Sequence, residues 1–410
     1  MLYRSMRSTG DDLSILGYGC MRFPERRGRI DEERATRQVR SAIDLGVNYL
    51  DTAFPYHMGA SEPFLGRALA GGFRERVKLA TKLPPWSVKT REDMDRILAA
   101  QLGKLETDHI DYYLVHGLND SIWEKMKRLG VLEFLDKAKC DGRVLHAGFS
   151  FHGKKDEFRD IVDDYDWEFC QIQYNFLDEH HQAGREGLEY AAGKGLGVIV
   201  MEPLRGGNLA RKVPPEVRAI WDEADVRRTP AEWALRWVWN HPDVTVVLSG
   251  MNDEEHIEEN LRIADGAYPE SLAEEELELV SRVADAYRRL MKAGCTGCGY
   301  CMPCPSGVDI PFCFEAYNNI HLFGESRSSA RRLYLARVTD VMGQGKVSYA
   351  SLCTRCGKCL EKCPQELPIP DLLQDVASEF EGPGLTAMVW FARRFMSFQR
   401  LQGRFRSRRT

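Results

Sequence analysis

The chain has 410 residues, 43% of them hydrophobic and 29% charged, a balance that suits a soluble protein with a substantial core and excludes one small domain. Its net charge of −5 gives no general pull towards nucleic acid or anionic membrane. The N-terminus lacks a leader-like apolar stretch and no run reaches the ~18 apolar residues of a membrane span, so a cytoplasmic protein with no nucleic-acid partner is expected.

From residue 13 to about 262, short apolar, β-branched runs alternate with longer segments of helical period. The runs are Leu13–Phe23, Val47–Thr52, Val77–Lys82, Ile110–His116, Val144–Ser150, Phe169–Tyr174, Gly197–Glu202 and Val244–Gly250. Between them the spacing predicts helices at Glu32–Leu45, Arg91–Leu105, Ile122–Lys139, Gln182–Gly193, Pro230–Asn240 and Glu254–Leu261. Eight strand–helix pairs in ~250 residues match a (β/α)8 TIM barrel of the α/β class. A doubly wound sheet would want a glycine-rich phosphate turn after the first strand, and no G-x-G-x-x-G stands there. The barrel is assigned to residues 1–268. A connecting helix, Ser271–Lys292, lies within 269–293. A mainly helical ferredoxin-like domain is assigned to 294–382, and a basic amphipathic tail to 383–410.

Eight of the twelve cysteines crowd into two runs after residue 294, and in a reducing compartment such clusters bind metal more often than they form disulfides. The first run is Cys295-Thr-Gly-Cys298-Gly-Tyr-Cys301-Met-Pro-Cys304-Pro305, the second Cys353-Thr-Arg-Cys356-Gly-Lys-Cys359-Leu-Glu-Lys-Cys363-Pro364. The second follows the bacterial ferredoxin pattern C-x2-C-x2-C-x3-C-P, and the first is one residue short before its last cysteine. Three thiolates at that spacing wrap one cubane, while the cysteine before proline reaches the other. Two [4Fe-4S] clusters are therefore expected, one on Cys295, Cys298, Cys301 and Cys363, the other on Cys353, Cys356, Cys359 and Cys304. Zinc fits less well, since its sites are built from two ligand pairs, often with histidine. Between the runs, helices are predicted at Pro311–Asn318 and Ser328–Met342, and Cys313 reads as a small buried apolar residue.

Catalytic groups of a TIM barrel sit at the C-terminal ends of its strands. Those ends supply Asp51, Tyr56, Lys82 and His116. A phenol is too weak an acid to protonate a nascent alkoxide readily at neutral pH. A neighbouring ammonium, itself held by a carboxylate, stabilises the phenolate, and an imidazole orients the carbonyl oxygen. Singly, each has a plainer reading: a turn cap, a rim aromatic, a solvated end, a core histidine.

These residues, with Gly19-Cys-Met-Arg22, Ala80-Thr-Lys82, Tyr113-Leu-Val-His116, Gly148-Phe-Ser150, Gln171-Ile-Gln-Tyr-Asn175, Glu202-Pro-Leu-Arg-Gly-Gly207 and Gly250-Met-Asn…Glu259-Asn260, carry a resemblance. Over about residues 3–375 the chain resembles the aldo-keto reductases, in the branch with a C-terminal [4Fe-4S] ferredoxin-type domain. The resemblance implies nicotinamide-dependent reduction of a small carbonyl compound or oxidation of an alcohol. Tyr56 would be the general acid, Lys82 and Asp51 its tuning pair, and His116 the orienting group. Ser150 and Gln171 would hold the carboxamide and Met201 would cover the ring. Leu204, Arg205 and Gly206 would line the pyrophosphate and Glu259 and Asn260 would face the adenine, with Gly250 also in the cofactor groove. Three positions depart from the pattern: Phe151 replaces an asparagine, Met201 an aromatic, and Asp253 an arginine that would hold a 2′-phosphate. NADH, NADPH and no nicotinamide at all therefore stay open.

Hydride moves two electrons and a cluster moves one, so a ferredoxin or flavoprotein electron partner is expected. The rival reading is an electron-transfer or redox-sensing subunit whose barrel performs no hydride transfer. The segment 385–410 holds seven arginines and no acid, leaving −12 on the rest of the chain. With Trp390, Phe391, Phe395, Phe398, Leu401 and Phe405 interleaved, it suits packing on the chain's own acidic body ahead of contact with a membrane surface.

Overall fold

In the computed structural model, which describes residues 1–210, 212–324, 326–339 and 347–382, eight parallel strands close into a barrel in sequence order. They are β1 (Leu16–Gly19), β2 (Tyr49–Asp51), β3 (Lys78–Leu83), β4 (Ile110–Leu118), β5 (Val144–Phe151), β6 (Phe169–Gln173), β7 (Gly197–Met201) and β8 (Val244–Ser249). Parallel strands with helices outside and side chains inside are buried on both faces, which is why they read as unbroken apolar runs. The α/β class and the TIM barrel are both found.

The first apolar run divides. Asp12–Ser14 pairs antiparallel with Tyr3–Ser5, and only Leu16–Gly19 enters the barrel. Met6 and Leu13 from this hairpin join Tyr49, Tyr112, Phe169 and Ile199 in the barrel's interior cluster. A Cβ on Gly197, the first residue of β7, would stand 2.6 Å from the Met6 side chain. The missing side chain there makes room for the plug. The predicted helix Ile122–Lys139 is also two, Asp120–Arg128 and Val131–Cys140, parted at Gly130 with φ +75°. Left-handed backbone ends a helix and is cheapest for glycine.

Two compact units emerge. The first comprises Met1–Arg211 and Ala224–Ser281, the second Lys212–Glu223 together with the chain from Arg282. The short helix Pro215–Trp221 thus belongs to the second unit, although the sequence pattern sets it inside the barrel's span. The connecting helix runs Glu274–Leu290, with Glu274, Glu275 and Glu276 in its first turn and Arg288 and Arg289 in its last, as the helix dipole favours.

The second unit has helices at Ile310–Phe323, Arg327–Val338 and Ile369–Phe380, and no strand among its described residues. Its core gathers Phe314, Ile320, Tyr334, Val376 and Phe380 around the buried Cys313. The helix predicted over Ser328–Met342 ends at Val338, and residues 340–346 lie outside the described residues. So does the tail at 383–410. No helix among the described residues is long and apolar enough to cross a membrane.

Candidate active site and cysteine quartets

Strands β2, β3 and β4 carry Asp51, Lys82 and His116 towards their C-terminal ends, and the turn after β2 carries Tyr56. Lys82 Nζ donates to both Asp51 carboxylate oxygens at 2.7 Å, to the Thr52 carbonyl at 2.8 Å, and lies 3.4 Å from the Tyr56 hydroxyl. Lys82 is 1% exposed. Burial pushes the Asp51 carboxyl up and the Lys82 ammonium down, while their mutual attraction opposes both shifts. Such a pair persists out of water only when the geometry and the remaining hydrogen bonds are good, and here they are.

The His116 ring stands edge-on to Tyr56, centroids 6.4 Å apart, and 5.2 Å from the half-exposed Trp86 indole. Burial drives its pKa well below the usual value, and the charge of Lys82 adds to the shift. At neutral pH it is an uncharged imidazole. The turn behind Tyr56 is strained: His57 and Met58 have φ of +50° and +55°. His57 Nε2 accepts the Phe23 N–H at 3.0 Å, and its Nδ1 lies 3.1 Å from Glu25. Strain of this kind costs about 1–3 kcal/mol per residue and persists only where the surroundings hold it.

Ser150 Oγ accepts the Gly117 N–H at 2.8 Å. Gln171 donates from Nε2 to the Met201 sulfur at 3.6 Å, while its buried Oε1 has no hydrogen-bond partner. An orphaned amide oxygen beside the tetrad fits the NH2 of a nicotinamide carboxamide. Phe151 turns away from the mouth, buried 5.0 Å from Phe158. One residue further, His152 is close enough to Lys82 to feel its charge, and its Nδ1 lies 3.3 Å from Gln182 Oε1. Burial pushes its pKa down to about 4. The sequence offers one signal for His152, that it shares strand parity with Ser150.

The turn after β7 is left-handed at Glu202, Arg205, Gly206 and Gly207. Arg205 donates from Nε to Asp178 at 2.6 Å, and the same Asp178 oxygen accepts from Gln173 at 2.9 Å and Asn175 at 3.1 Å. Leu204, Arg205 and Gly206 therefore sit on a turn anchored from beneath by a partly buried carboxylate, a role for Asp178 that the sequence does not signal. Gly250 follows β8, and a Cβ there would meet Arg22 at 3.3 Å. Asn260 Nδ2 donates to Ser249 Oγ at 2.9 Å, and Glu259 accepts from Thr229 Oγ1 at 2.6 Å. Asp253 caps the helix Glu254–Ala264 through the Glu255 N–H and accepts from Arg34 Nη2 at 3.1 Å.

In the second unit the two cysteine runs fold alike. Gly297 and Arg355, each between the first two cysteines of its run, are left-handed, as are Gly299 and Gly357 after the second cysteine. The N–H of Gly297 points at Cys295 Sγ and that of Arg355 at Cys353 Sγ, both at 3.4 Å. Amide donors of this kind tune a cluster sulfur. Cys295, Cys298, Cys301 and Cys363 line one space, and Cys304, Cys353, Cys356 and Cys359 another, which Cys301 also borders. Burial, then the neighbouring Cys298, Cys295 and Cys363, push the Cys301 thiol up to about 12. Thiols crowded in this way ionise readily only around a cation. Among the described residues no trio of His, Cys, Asp or Glu closes on a single ion. Four sulfurs ringing a space suit a cluster.

Each run is fixed at its entrance. Asn318 accepts the Lys292 and Ala293 N–H groups at 3.0 and 2.8 Å and donates to the Ala293 carbonyl at 2.7 Å. Glu381 accepts the Ala350 and Ser351 N–H groups at 2.8 and 3.1 Å, just ahead of Cys353.

Residues 15–275 match the model of the aldo/keto reductase family, and residues 294–367 match that of the 4Fe-4S dicluster domain. Among relatives, the 6-dehydroglucose reductase of Novosphingobium aromaticivorans is 29% identical over 65% of this chain and 89% of its own. The NADH-specific methylglyoxal reductase of Escherichia coli is 24% identical over 69% and 98%. Of solved structures, the holo form of aldo-keto reductase AKR11C1 from Bacillus halodurans aligns with a TM-score of 0.57 at 25% identity, over 69% of this chain and 96% of that one. A barrel whose strand ends deliver Asp51, Lys82 and His116 beside Tyr56, and whose residues 15–275 match that model, places the chain in the aldo/keto reductase family, as an oxidoreductase extended by a 4Fe-4S dicluster domain.

Proposed function

We propose that the barrel reduces a small, polar carbonyl compound, or oxidises the corresponding alcohol, with Tyr56 as general acid. The observation that carries this reading is Lys82 Nζ, 2.7 Å from both Asp51 oxygens and 3.4 Å from the Tyr56 hydroxyl. A nicotinamide cofactor, when bound, supplies the hydride for the carbonyl carbon. The chain's own residues manage the oxygen. Tyr56 releases its hydroxyl proton to it as C=O becomes CH–OH, and the Lys82 ammonium stabilises the phenolate left behind. Asp51 holds Lys82 in place, and neutral His116 directs an N–H at the same oxygen. Ser150 and Gln171 would hold the carboxamide of that cofactor, the turn at Leu204, Arg205 and Gly206 would line its pyrophosphate, Met201 would cover the ring, Glu259 and Asn260 would face the adenine, and Gly250 would belong to the same groove.

The relatives named above, a 6-dehydroglucose reductase and a methylglyoxal reductase, support a small oxygen-rich substrate. In the second unit Cys295, Cys298, Cys301 and Cys363 would hold one [4Fe-4S] cluster, and Cys353, Cys356, Cys359 and Cys304 the other. Clusters held there would supply one-electron transfer, exchanged with a ferredoxin or flavin-bearing partner. The test is Tyr56→Phe in the anaerobically purified chain. Carbonyl turnover should fall by about 10²–10⁴ while cofactor binding persists, and turnover equal to the parent's would sink the tetrad mechanism.

A further inference from the structure

The two cysteine runs differ in the charge they carry. Residues 295–305 include no ionisable side chain besides the cysteines and Tyr300, whereas residues 353–363 hold Arg355, Lys358 and Lys362 against Glu361, a net of +2. The fold turns that difference into two surroundings. The space ringed by Cys295, Cys298, Cys301 and Cys363 is otherwise lined by groups such as Phe314, Leu367 and Ile369, with no charged residue. The space ringed by Cys304, Cys353, Cys356 and Cys359 is lined by Lys358 and Lys362, with no acid. Cys356 is exposed, while all four cysteines of the other quartet are half-buried. Arg355 is occupied by Asp371 and the Pro370 carbonyl. Lys358 and Lys362 are exposed and form no ion pair with a described residue. Leu360, 46% exposed on the same turn, adds an apolar contact.

A cluster that accepts an electron becomes more negative by one charge. Nearby ammonium groups and solvent favour that reduced form and so raise its potential. The same ammonium groups steer an acidic protein towards the exposed ligand.

We propose that the cluster on Cys304, Cys353, Cys356 and Cys359 is the electron-entry port of this chain, reduced at the higher potential, with Lys358 and Lys362 receiving an acidic one-electron carrier protein. One electron leaves the reduced carrier and enters this cluster, and no bond is made or broken. The port rests on the reading of both quartets as [4Fe-4S] ligands.

The test uses the full chain, purified anaerobically. Iron and sulfide analysis with an EPR-monitored redox titration first establishes two reduction steps. A chain without them overturns the ligand reading and the port with it. Given two steps, Lys358→Gln/Lys362→Gln should lower one midpoint potential and leave the other in place. Its rate of reduction by an acidic ferredoxin at low salt should fall about tenfold and lose most of its salt dependence. Glu361→Gln, which increases the positive field at an exposed site, should raise the same potential and quicken the same reaction. Potentials and rates that stay at parent values in both variants overturn the port.

Discussion

Arg34 donates from Nη2 to Asp253 at 3.1 Å and from Nε to Glu254 at 3.0 Å, so two carboxylates occupy the guanidinium at the start of the helix Glu254–Ala264. The contact with Arg34 holds the Glu254 carboxyl down at about 2, ionised at any working pH. A 2′-phosphate brought here meets carboxylates and an arginine already engaged. NADH should therefore serve with a KM at least about tenfold below that of NADPH, a difference of about 1.4 kcal/mol. Asp253→Ser with Glu254→Gln keeps a capping hydroxyl, frees Arg34 and should narrow the gap. A lower KM for NADPH in the parent chain would contradict the assignment.

Removing one member of the buried ion pair leaves the other charged and stranded. Lys82→Met should cost about 3–5 kcal/mol of barrel stability, read as a fall in the melting temperature of that unit. Adding Asp51→Asn should restore most of the loss and none of the turnover. If the single variant melts with the parent, Asp51 and Lys82 are not an ion pair in the folded chain.

The pH dependence of stability follows from His152. Its pKa falls from an ordinary 6.5 to about 4 on folding, through burial. Between those values the unfolded chain binds a proton that the folded chain refuses, so stability drops as pH falls through this window. The slope is at most about 1.4 kcal/mol per pH unit for one group, and His116 contributes with the same sign. Melting curves from pH 7 to pH 4.5 should show the decline, and His152→Gln should flatten it. An unchanged slope in that variant would remove His152 as its source.

Cys363 lies in the second run but lines the space of the first quartet. Cys363→Ser should therefore deplete the cluster held mainly by Cys295, Cys298 and Cys301, and Cys304→Ser the other one. Iron analysis and EPR of the two variants distinguish this exchange from a scheme in which each run serves its own cluster. That scheme predicts the opposite losses.

The barrel is legible because its strands are buried on both faces and its helices carry local stop signals. The helix Arg91–Leu105 appears at its expected limits, bounded by a Thr90–Asp93 capping box and a left-handed Glu106. The N-terminal hairpin is not legible, because strands of three residues owe their pairing to a distant plug contact between Met6 and Gly197. The break at Gly130 hides in a sequence whose apolar period runs past it. At the mouth, the strand-end rule finds Asp51, Lys82 and His116 but passes over His152, which lies one residue past the end of β5 at Phe151. Asp178 escapes for another reason: its partners Gln173, Asn175 and Arg205 meet only once β6 and β7 lie side by side. The grouping of cysteines is readable from the prolines that follow Cys304 and Cys363. Nothing comparable in the sequence marks Asn318 or Glu381 as the supports of the two runs.

Each quartet draws three sulfurs from one run and the fourth from the other. Iron bound in that arrangement makes the second unit a covalently laced object, linked twice over independently of its peptide bonds. A protease cut anywhere between Pro305 and Leu352 would leave two fragments that migrate together for as long as iron is present. Once a chelator or oxygen had stripped the metal, only the apolar core shared by Phe314, Val376 and Phe380 would still join them.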